Sequence, residues 1–338
     1  MYSNSINLIK KENYPWIFTG LAQSDGSFSI SIIKTQSKIG LVLRPFFNIE
    51  LKDSSVEILI ELQNYFGGCG RIFHNKSRKT VSFEISDFYS LWHILIPHFI
   101  NYPLEASKLK SFIIFTNCMI LLFPYHNKNK PKSLIYEIIK YSYFMNEGTK
   151  RNEKDFKILL STYFSDHKKN NSSLSLHITQ NFFKFTEIEL NTILGIIEGD
   201  GTFYISFDKG FKFRFGFNIT TSIKDLPALY KIKWRLGCGK VYVKSESWCR
   251  FEITKNKDLL NIIIPVVNSL EYYRGKGIRL LSSKSQNFEI FKEALITYEK
   301  GFTKTLENRK TFIEKYYNMY ESGNKRKQSL KDYLTHKE

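Results

Sequence analysis

The sequence offers little to chemistry that runs on sulfur or imidazole. It has four cysteines in 338 residues. Cys69, Cys118, Cys238 and Cys249 form no Cys-x-x-Cys pair, so neither a zinc knuckle nor a disulfide framework is expected. The seven histidines show no His-Glu-x-x-His or comparable ligand spacing. Both absences point to a reducing compartment and to oxygen as the ligand of any metal. A long apolar run is also missing. The longest, Phe112 to Phe123, is broken by Thr116, Asn117 and Cys118, whereas a spanning helix needs about 20 apolar residues. The run reads as a buried helix, and no membrane partner is expected. Met1 to Trp16 lacks the apolar region of a signal peptide and the arginines of a transit peptide. Acidic residues are scarce as well: 32 Asp+Glu face 50 Lys+Arg, a formal net charge of +18. A surplus of that size calls for a polyanionic partner, nucleic acid first.

What is abundant is aromatic and apolar. Phe (29) and Tyr (20) are frequent, and hydrophobic residues make up 42%, enough for a substantial core rich in strands. Lys, Asn, Ile, Phe and Tyr have A/T-rich codons, which points to an A/T-rich genome, and the expected setting is a mitochondrion or another organelle.

The chain repeats itself in order. Gly20-Leu-Ala-Gln-Ser-Asp-Gly-Ser-Phe28 matches Gly195-Ile-Ile-Glu-Gly-Asp-Gly-Thr-Phe203. Phe47-Asn-Ile49 matches Phe217-Asn-Ile219, Gly68-Cys-Gly70 matches Gly237-Cys-Gly239, and Phe83-Glu-Ile85 matches Phe251-Glu-Ile253. Ile96-Pro97 matches Ile264-Pro265, and Lys108 matches Lys284, each followed by Phe at the fourth and seventh positions. Every offset is close to half the chain, the signature of two copies of one unit. The expected division is an N-terminal repeat over 1–151, a linker over 152–186, most polar between Asp166 and Ser173, and a C-terminal repeat over 187–338.

Each copy opens with an apolar helical segment, Trp16–Ser24 or Ile188–Gly199, and then Asp-Gly, where glycine would take a left-handed turn. Strands follow with period-two patterning. Phe28, Ile30 and Ile32 alternate with serines, and Phe211, Phe213, Phe215, Phe217 and Ile219 alternate with polar residues and glycine. Further strands are expected at Lys240–Lys244 and Cys249–Ile253, and helices near Leu259–Leu270 and Phe288–Tyr298. The fold class is α+β, with two pseudo-symmetric αββαββα repeats.

Gly20 with Ser24, and Gly195 with Gly199, place small residues on one face of each opening helix, so that two backbones can approach closely. Helix-on-helix packing would set Asp25 beside Asp200. Two carboxylates at close range repel unless a cation shares them, and a hard divalent ion accepts carboxylate, carbonyl and water oxygens. Beside a phosphodiester this arrangement suits metal-assisted hydrolysis. For either motif alone, the plainer alternative is an aspartate that caps a turn before glycine.

These paired segments resemble the motifs of single-chain LAGLIDADG homing endonucleases, over about Tyr14 to Arg326. The resemblance implies a saddle of two antiparallel sheets on double-stranded DNA, with the motif helices at the central interface. It also implies Mg²⁺ as cofactor, with Mn²⁺ or Ca²⁺ able to occupy the site, and action as a monomer. By motif position the metal acids are Asp25 and Asp200, the carbonyls of Ser24 and Gly199 are further ligands, and Lys108 and Lys284 are the basic residues near the scissile phosphates. Gln23 departs from the acidic residue that Glu198 supplies in the second copy. Thr221 and Leu51 stand where a glutamine is common, and Lys276 is an alternative to Lys284.

The polar strand faces would read base edges in the major groove. The expected contacts are Ser29, Ser31, Lys34, Arg44, Asn48, Glu50 and Arg71 in the first copy. In the second they are Tyr204, Ser206, Lys212, Arg214, Asn218, Thr220, Lys240, Tyr242, Lys244 and Arg250. Two rival readings stay open: a maturase acting on intron RNA, alone or alongside cleavage, and a non-catalytic DNA-binding relative.

Overall fold

The computed structural model describes residues 3–36, 39–143, 145–146, 153–165, 187–208, 211–268, 282, 284–319 and 329–335, with side chains from residue 14 onward. Lys276 and most of the expected linker lie outside the described residues. Two compact units emerge: Leu21–Thr186, and Met1–Gly20 together with Glu187–Glu338.

Each unit holds one four-stranded antiparallel sheet. In the first, β1 (Gly26–Lys34), β2 (Leu41–Lys52), β3 (Arg71–Asn75) and β4 (Thr80–Ile85) lie in the order β1-β2-β4-β3. In the second, β5 (Gly201–Asp208), β6 (Lys212–Ser222), β7 (Lys240–Val243) and β8 (Trp248–Ile253) repeat it as β5-β6-β8-β7. The expected strands are present. The opening helix, however, runs Ser3–Asp25 through Pro15, well before Trp16. The start of the expected linker is a helix too, Glu153–Phe164, whose buried Phe164 meets the Tyr136 ring at 5.3 Å.

Alternation builds the core. Phe28, Ile30, Phe47, Ile49, Phe83 and Ile85 point to one side of the first sheet and are buried. Helix Ala106–Leu122 covers that side. Its Phe112 and Phe115 rings stand 5.4 and 5.6 Å from Phe28. By length and composition Ala106–Tyr125 would suit a membrane crossing, but here its apolar face is spent on the sheet. The second unit repeats the cluster, with Phe288 and Phe291 at 5.0 and 5.4 Å from Phe203. Each fully buried phenylalanine contributes about 1.5–3 kcal/mol.

The two Gly-Cys-Gly turns need their second glycine. Gly70 and Gly239 both have φ +81°, and a Cβ there would press on the Phe83 or Phe251 ring at 2.6 and 2.5 Å. The turns therefore seat the edge strands β3 and β7 against the same aromatic layer.

His98, 5% exposed, meets the Tyr65 hydroxyl at 3.1 Å. Burial pushes its imidazole down to about 3. The unfolded chain takes up this proton below about pH 6.5, so the stability involved is complete above that pH and lost as pH falls toward 3. Urea unfolding at pH 7.5 and 5.5 should show a loss of about 1.4 kcal/mol from this residue. A His98→Gln variant should lack that part of the slope, and an unchanged slope would contradict the assignment.

Candidate functional site

In each unit a carboxylate ends the motif helix and a strand starts at the next residue. Asp25 closes Ser3–Asp25 and β1 begins at Gly26; Asp200 closes Leu190–Asp200 and β5 begins at Gly201. The glycines are not left-handed, contrary to the sequence expectation. Gly201 is extended, with φ −67° and ψ 142°, and Gly26 is absent from the positive-φ residues. Space is what requires them: a Cβ on Gly26 would lie 2.8 Å from Ala22 Cα, and one on Gly201 2.8 Å from Ile197 Cα. The strand folds straight back on its helix, which holds the acid at a tight corner.

Gly20 clusters with the second repeat. A Cβ there would come within 2.8 Å of Gly195 Cα and 2.9 Å of Ile196 N, so within that unit the two motif helices touch backbone to backbone. Ile17 joins the same core as Ile193 and Ile197. Ser24 is half-buried.

Lys108 and Lys284 reach the motif corners of their own units. The Lys108 ammonium donates to the Gly26 carbonyl. The Lys284 ammonium donates to the Gly199 carbonyl and, at 3.2 Å, to that of Ile197. The Lys-x-x-x-Phe-x-x-Phe spacing explains this placement. Positions i, i+4 and i+7 share a helical face, so docking the two phenylalanines on the sheet turns the lysine toward the end of the motif helix.

Gln23 and Glu198 play one role. Gln23 Oε1 accepts from the Glu105 N–H at 2.9 Å, and Glu198 Oε2 accepts from the Ser282 N–H at 3.3 Å. Each is buried, at 7% and 4% exposure, and each clamps the chain just before its lysine helix. In the first unit that clamp precedes Ala106, held at φ +44°, a costly backbone for a residue with a Cβ. The position needs an acceptor rather than a charge. Gln23→Glu should therefore keep the fold and activity, while Gln23→Leu should cost about 1–3 kcal/mol by orphaning a buried donor. Chemical denaturation of both variants checks this, and equal losses would contradict the clamp.

The donor set suits a hard cation. Each corner offers a carboxylate and carbonyl oxygens, and the Gly199 carbonyl already takes the Lys284 ammonium. Among the described residues no group of three His, Cys, Asp or Glu could hold a metal. One or two carboxylates with carbonyl oxygens can hold a hard divalent ion whose shell is completed by water and substrate phosphate. Leu51 and Thr221 lie near the same corners, two residues past Ile49 and Ile219, the partners of Gly26 and Gly201. Thr221 pairs with Cys249, whose thiol donates to its carbonyl.

The sheet face opposite the helices carries matched polar rows. Ser27, Asn48, Glu84 and Arg71 stand side by side in the first sheet, and Thr202, Asn218, Glu252 and Lys240 in the second. Ser29, Ser31, Arg44 and Glu50 share this face in the first sheet, as do Ser206, Lys212, Arg214, Thr220, Tyr242 and Arg250 in the second. Lys34 and Lys244 lie exposed at strand ends. Three of the arginines are held by acids: Arg44 to Glu84 at 2.6 Å, Arg214 to Asp208 at 2.8 Å, and Arg250 to Glu252 at 3.8 Å, the last also donating to the Thr220 hydroxyl at 3.1 Å. Surface pairs of this kind contribute about 0–1 kcal/mol, so they can be exchanged for bonds to a nucleic acid. Two expected readers are less available. Asn218 is 8% exposed. Tyr204 lies over Gly216 and donates to Glu252 at 3.1 Å, its phenol pushed up to about 12 by burial and that carboxylate.

Several positioning residues escaped the sequence reading. Glu84 and Glu252 sit in the repeated Phe-Glu-Ile, whose repetition was visible although its ion-pairing was not. Asn146 donates to the Phe28 carbonyl at 2.6 Å and to Ser29 Oγ at 3.1 Å, fixing a serine of the open face. No sequence signal marked it.

Comparison with known proteins finds the same doubling in the sequence. The sequence model of the LAGLIDADG endonuclease matches residues 18–119 and again 193–295. The chain belongs to the LAGLIDADG endonuclease family. A relative from Neurospora crassa, described as a probable intron-encoded endonuclease 2, is 28% identical over 335 residues, covering 90% of this chain and 70% of the relative. The structure of the LAGLIDADG homing endonuclease I-LtrWI bound to target DNA superposes with a TM-score of 0.76 at 25% identity, covering 92% of this chain and 98% of the other. I-SmaMI bound to uncleaved DNA in the presence of calcium ions gives a TM-score of 0.74, covering 90% and 98%, and at 19% identity it shows the shared LAGLIDADG fold alone.

Proposed function

We propose that this chain, acting as a monomer and encoded in an organelle, cleaves both strands of double-stranded DNA at one long, asymmetric site. Mg²⁺ is the working cofactor, and Mn²⁺ or Ca²⁺ can occupy the same oxygens. The observation that carries the reading is the doubled corner: an acid at a helix–strand junction, a lysine on the adjacent carbonyls, and an open polar sheet running away from it. Asp25 and Asp200, with the carbonyls of Ser24 and Gly199, hold the ions. Bound there, a divalent ion lowers the pKa of an attacking water and stabilises charge on the leaving oxygen. Lys108 and Lys284 place an ammonium near the phosphate oxygens as charge builds on them.

Asymmetry of the target follows from differences between copies. Where the first sheet has Glu50, Ser82 and Phe73 in a row, the second has Thr220, Arg250 and Tyr242. The net charge of +18 makes phosphate contacts a large part of the affinity. The DNA affinity is expected to fall by about 10³-fold or more between roughly 50 and 200 mM salt. Titrations across that range check it, and salt-independent binding would contradict an electrostatic interface.

The test of the function is selection of cleaved sites from a randomised duplex library with Mg²⁺, and with EDTA as control. Enrichment of one long, asymmetric site, lost with EDTA, is the expected result. Tight binding to intron RNA with no cleavage would replace it with a maturase reading.

A further inference from the structure

Polar residues dominate the open face of the first sheet; the apolar side chains on it are Phe46, Phe73 and, at the far end, one cross-strand pair. Ile33 on β1 and Val42 on β2 are direct cross-strand partners. Both project to the open face, 41% and 44% exposed. Side chains that serve only the core do not stand on this side: Phe28, Ile30, Leu43 and Phe47 alternate with them and are buried. Cations flank the pair. The hollow beside it is also lined by Arg44 and Lys130, together with the apolar Phe88 and Leu122. The second sheet has charge at the equivalent row, where Asp208 pairs with Lys212 and is bonded by Arg214 at 2.8 Å.

We infer that Ile33 and Val42 form an apolar reader of a thymine methyl group in the major groove of the outer part of the target. This rests on the DNA-cleaving reading above and assigns one determinant of its specificity. An exposed apolar pair facing the major groove has one natural partner in a duplex, the C5-methyl of thymine, the group that separates thymine from every other base in that groove. Cationic neighbours suit the phosphates on either side of that base. The strand sets the position. Ile33 lies seven residues beyond Gly26, about 23 Å at roughly 3.3 Å per residue. At about 3.4 Å per base pair, the thymine falls about five to eight base pairs from the phosphate served by Asp25. The other half-site lacks this preference, because its row is Asp208–Lys212.

The plainer account is that the two side chains only stabilise the β1–β2 ribbon by packing on each other. A deoxyuridine scan separates the two. Each thymine of the selected site is replaced in turn by deoxyuridine, which removes one methyl group and leaves base pairing intact. Wild-type protein should lose about three- to fourfold in affinity at one thymine five to eight base pairs from the cut, the worth of burying one methyl. The Ile33→Thr/Val42→Thr protein keeps β-branched residues suited to the strand and should bind thymine and deoxyuridine equally at that position. A flat scan by wild-type protein that still binds its site specifically would overturn the inference and leave the endonuclease reading intact. So would the same loss in the double variant. Absence of any specific duplex binding would remove the endonuclease reading itself, and this inference with it.

Discussion

Asp25→Asn and Asp200→Asn should each abolish double-strand cleavage, with a rate loss of about 10³-fold or more, while DNA binding is kept or tightened. Asparagine preserves the shape at the helix–strand corner, where Asp25 is half-buried with Oδ2 shielded from solvent. The fold should therefore survive, and the change falls on charge alone. Loss of a carboxylate removes a ligand for a hard cation and also a repulsion toward the DNA phosphates, which is why affinity and rate should move apart. Single-turnover cleavage and equilibrium binding on the same duplex give both quantities. A variant that cut at the normal rate would show that its carboxylate holds no catalytic ion. A variant that lost binding and cleavage together would demote the acid to a structural cap.

Phe288→Ala should destabilise the protein by about 3–5 kcal/mol, roughly 10 °C in unfolding midpoint at about 2–4 °C per kcal/mol for a unit of this size. The ring is fully buried against Phe203, one turn beyond Lys284 on the same helical face. Its removal opens a cavity beneath the helix that carries the lysine. Thermal and urea unfolding measure the loss, and a cost below about 1 kcal/mol would place the ring outside the core. Phe112→Ala in the other unit should behave alike, because Phe112 stands 5.4 Å from Phe28 as Phe288 stands 5.0 Å from Phe203.

The repeated architecture was legible because both copies obey one period at one spacing: strands with alternating Phe and Ile, and a lysine four residues before a core phenylalanine. Other features were not. Nothing local told that Gly26 and Gly201 serve space rather than a left-handed turn, since both uses favour glycine; only the closeness of Ala22 and Ile197 decides it. The difference between Gln23 and Glu198 looked like a departure, yet both oxygens do the same work, accepting an N–H from a segment more than 80 residues away. Such long-range bonds leave no trace in local pattern. Alternation placed Asn218 correctly on the open face, but its low exposure depends on how neighbouring side chains fill that face. The helix Glu153–Phe164 lay hidden in a stretch expected to link the copies.

The most direct measurement is of the ions themselves. Mn²⁺ binding, followed by electron paramagnetic resonance in the complex with the selected duplex, needs no cleavage to be read. The account predicts that wild-type protein on its DNA binds Mn²⁺ tightly, that each single Asp→Asn variant binds less, and that the Asp25→Asn/Asp200→Asn protein binds no more than the free duplex does. Unchanged Mn²⁺ binding in the double variant would contradict the assignment of these two carboxylates as the metal ligands.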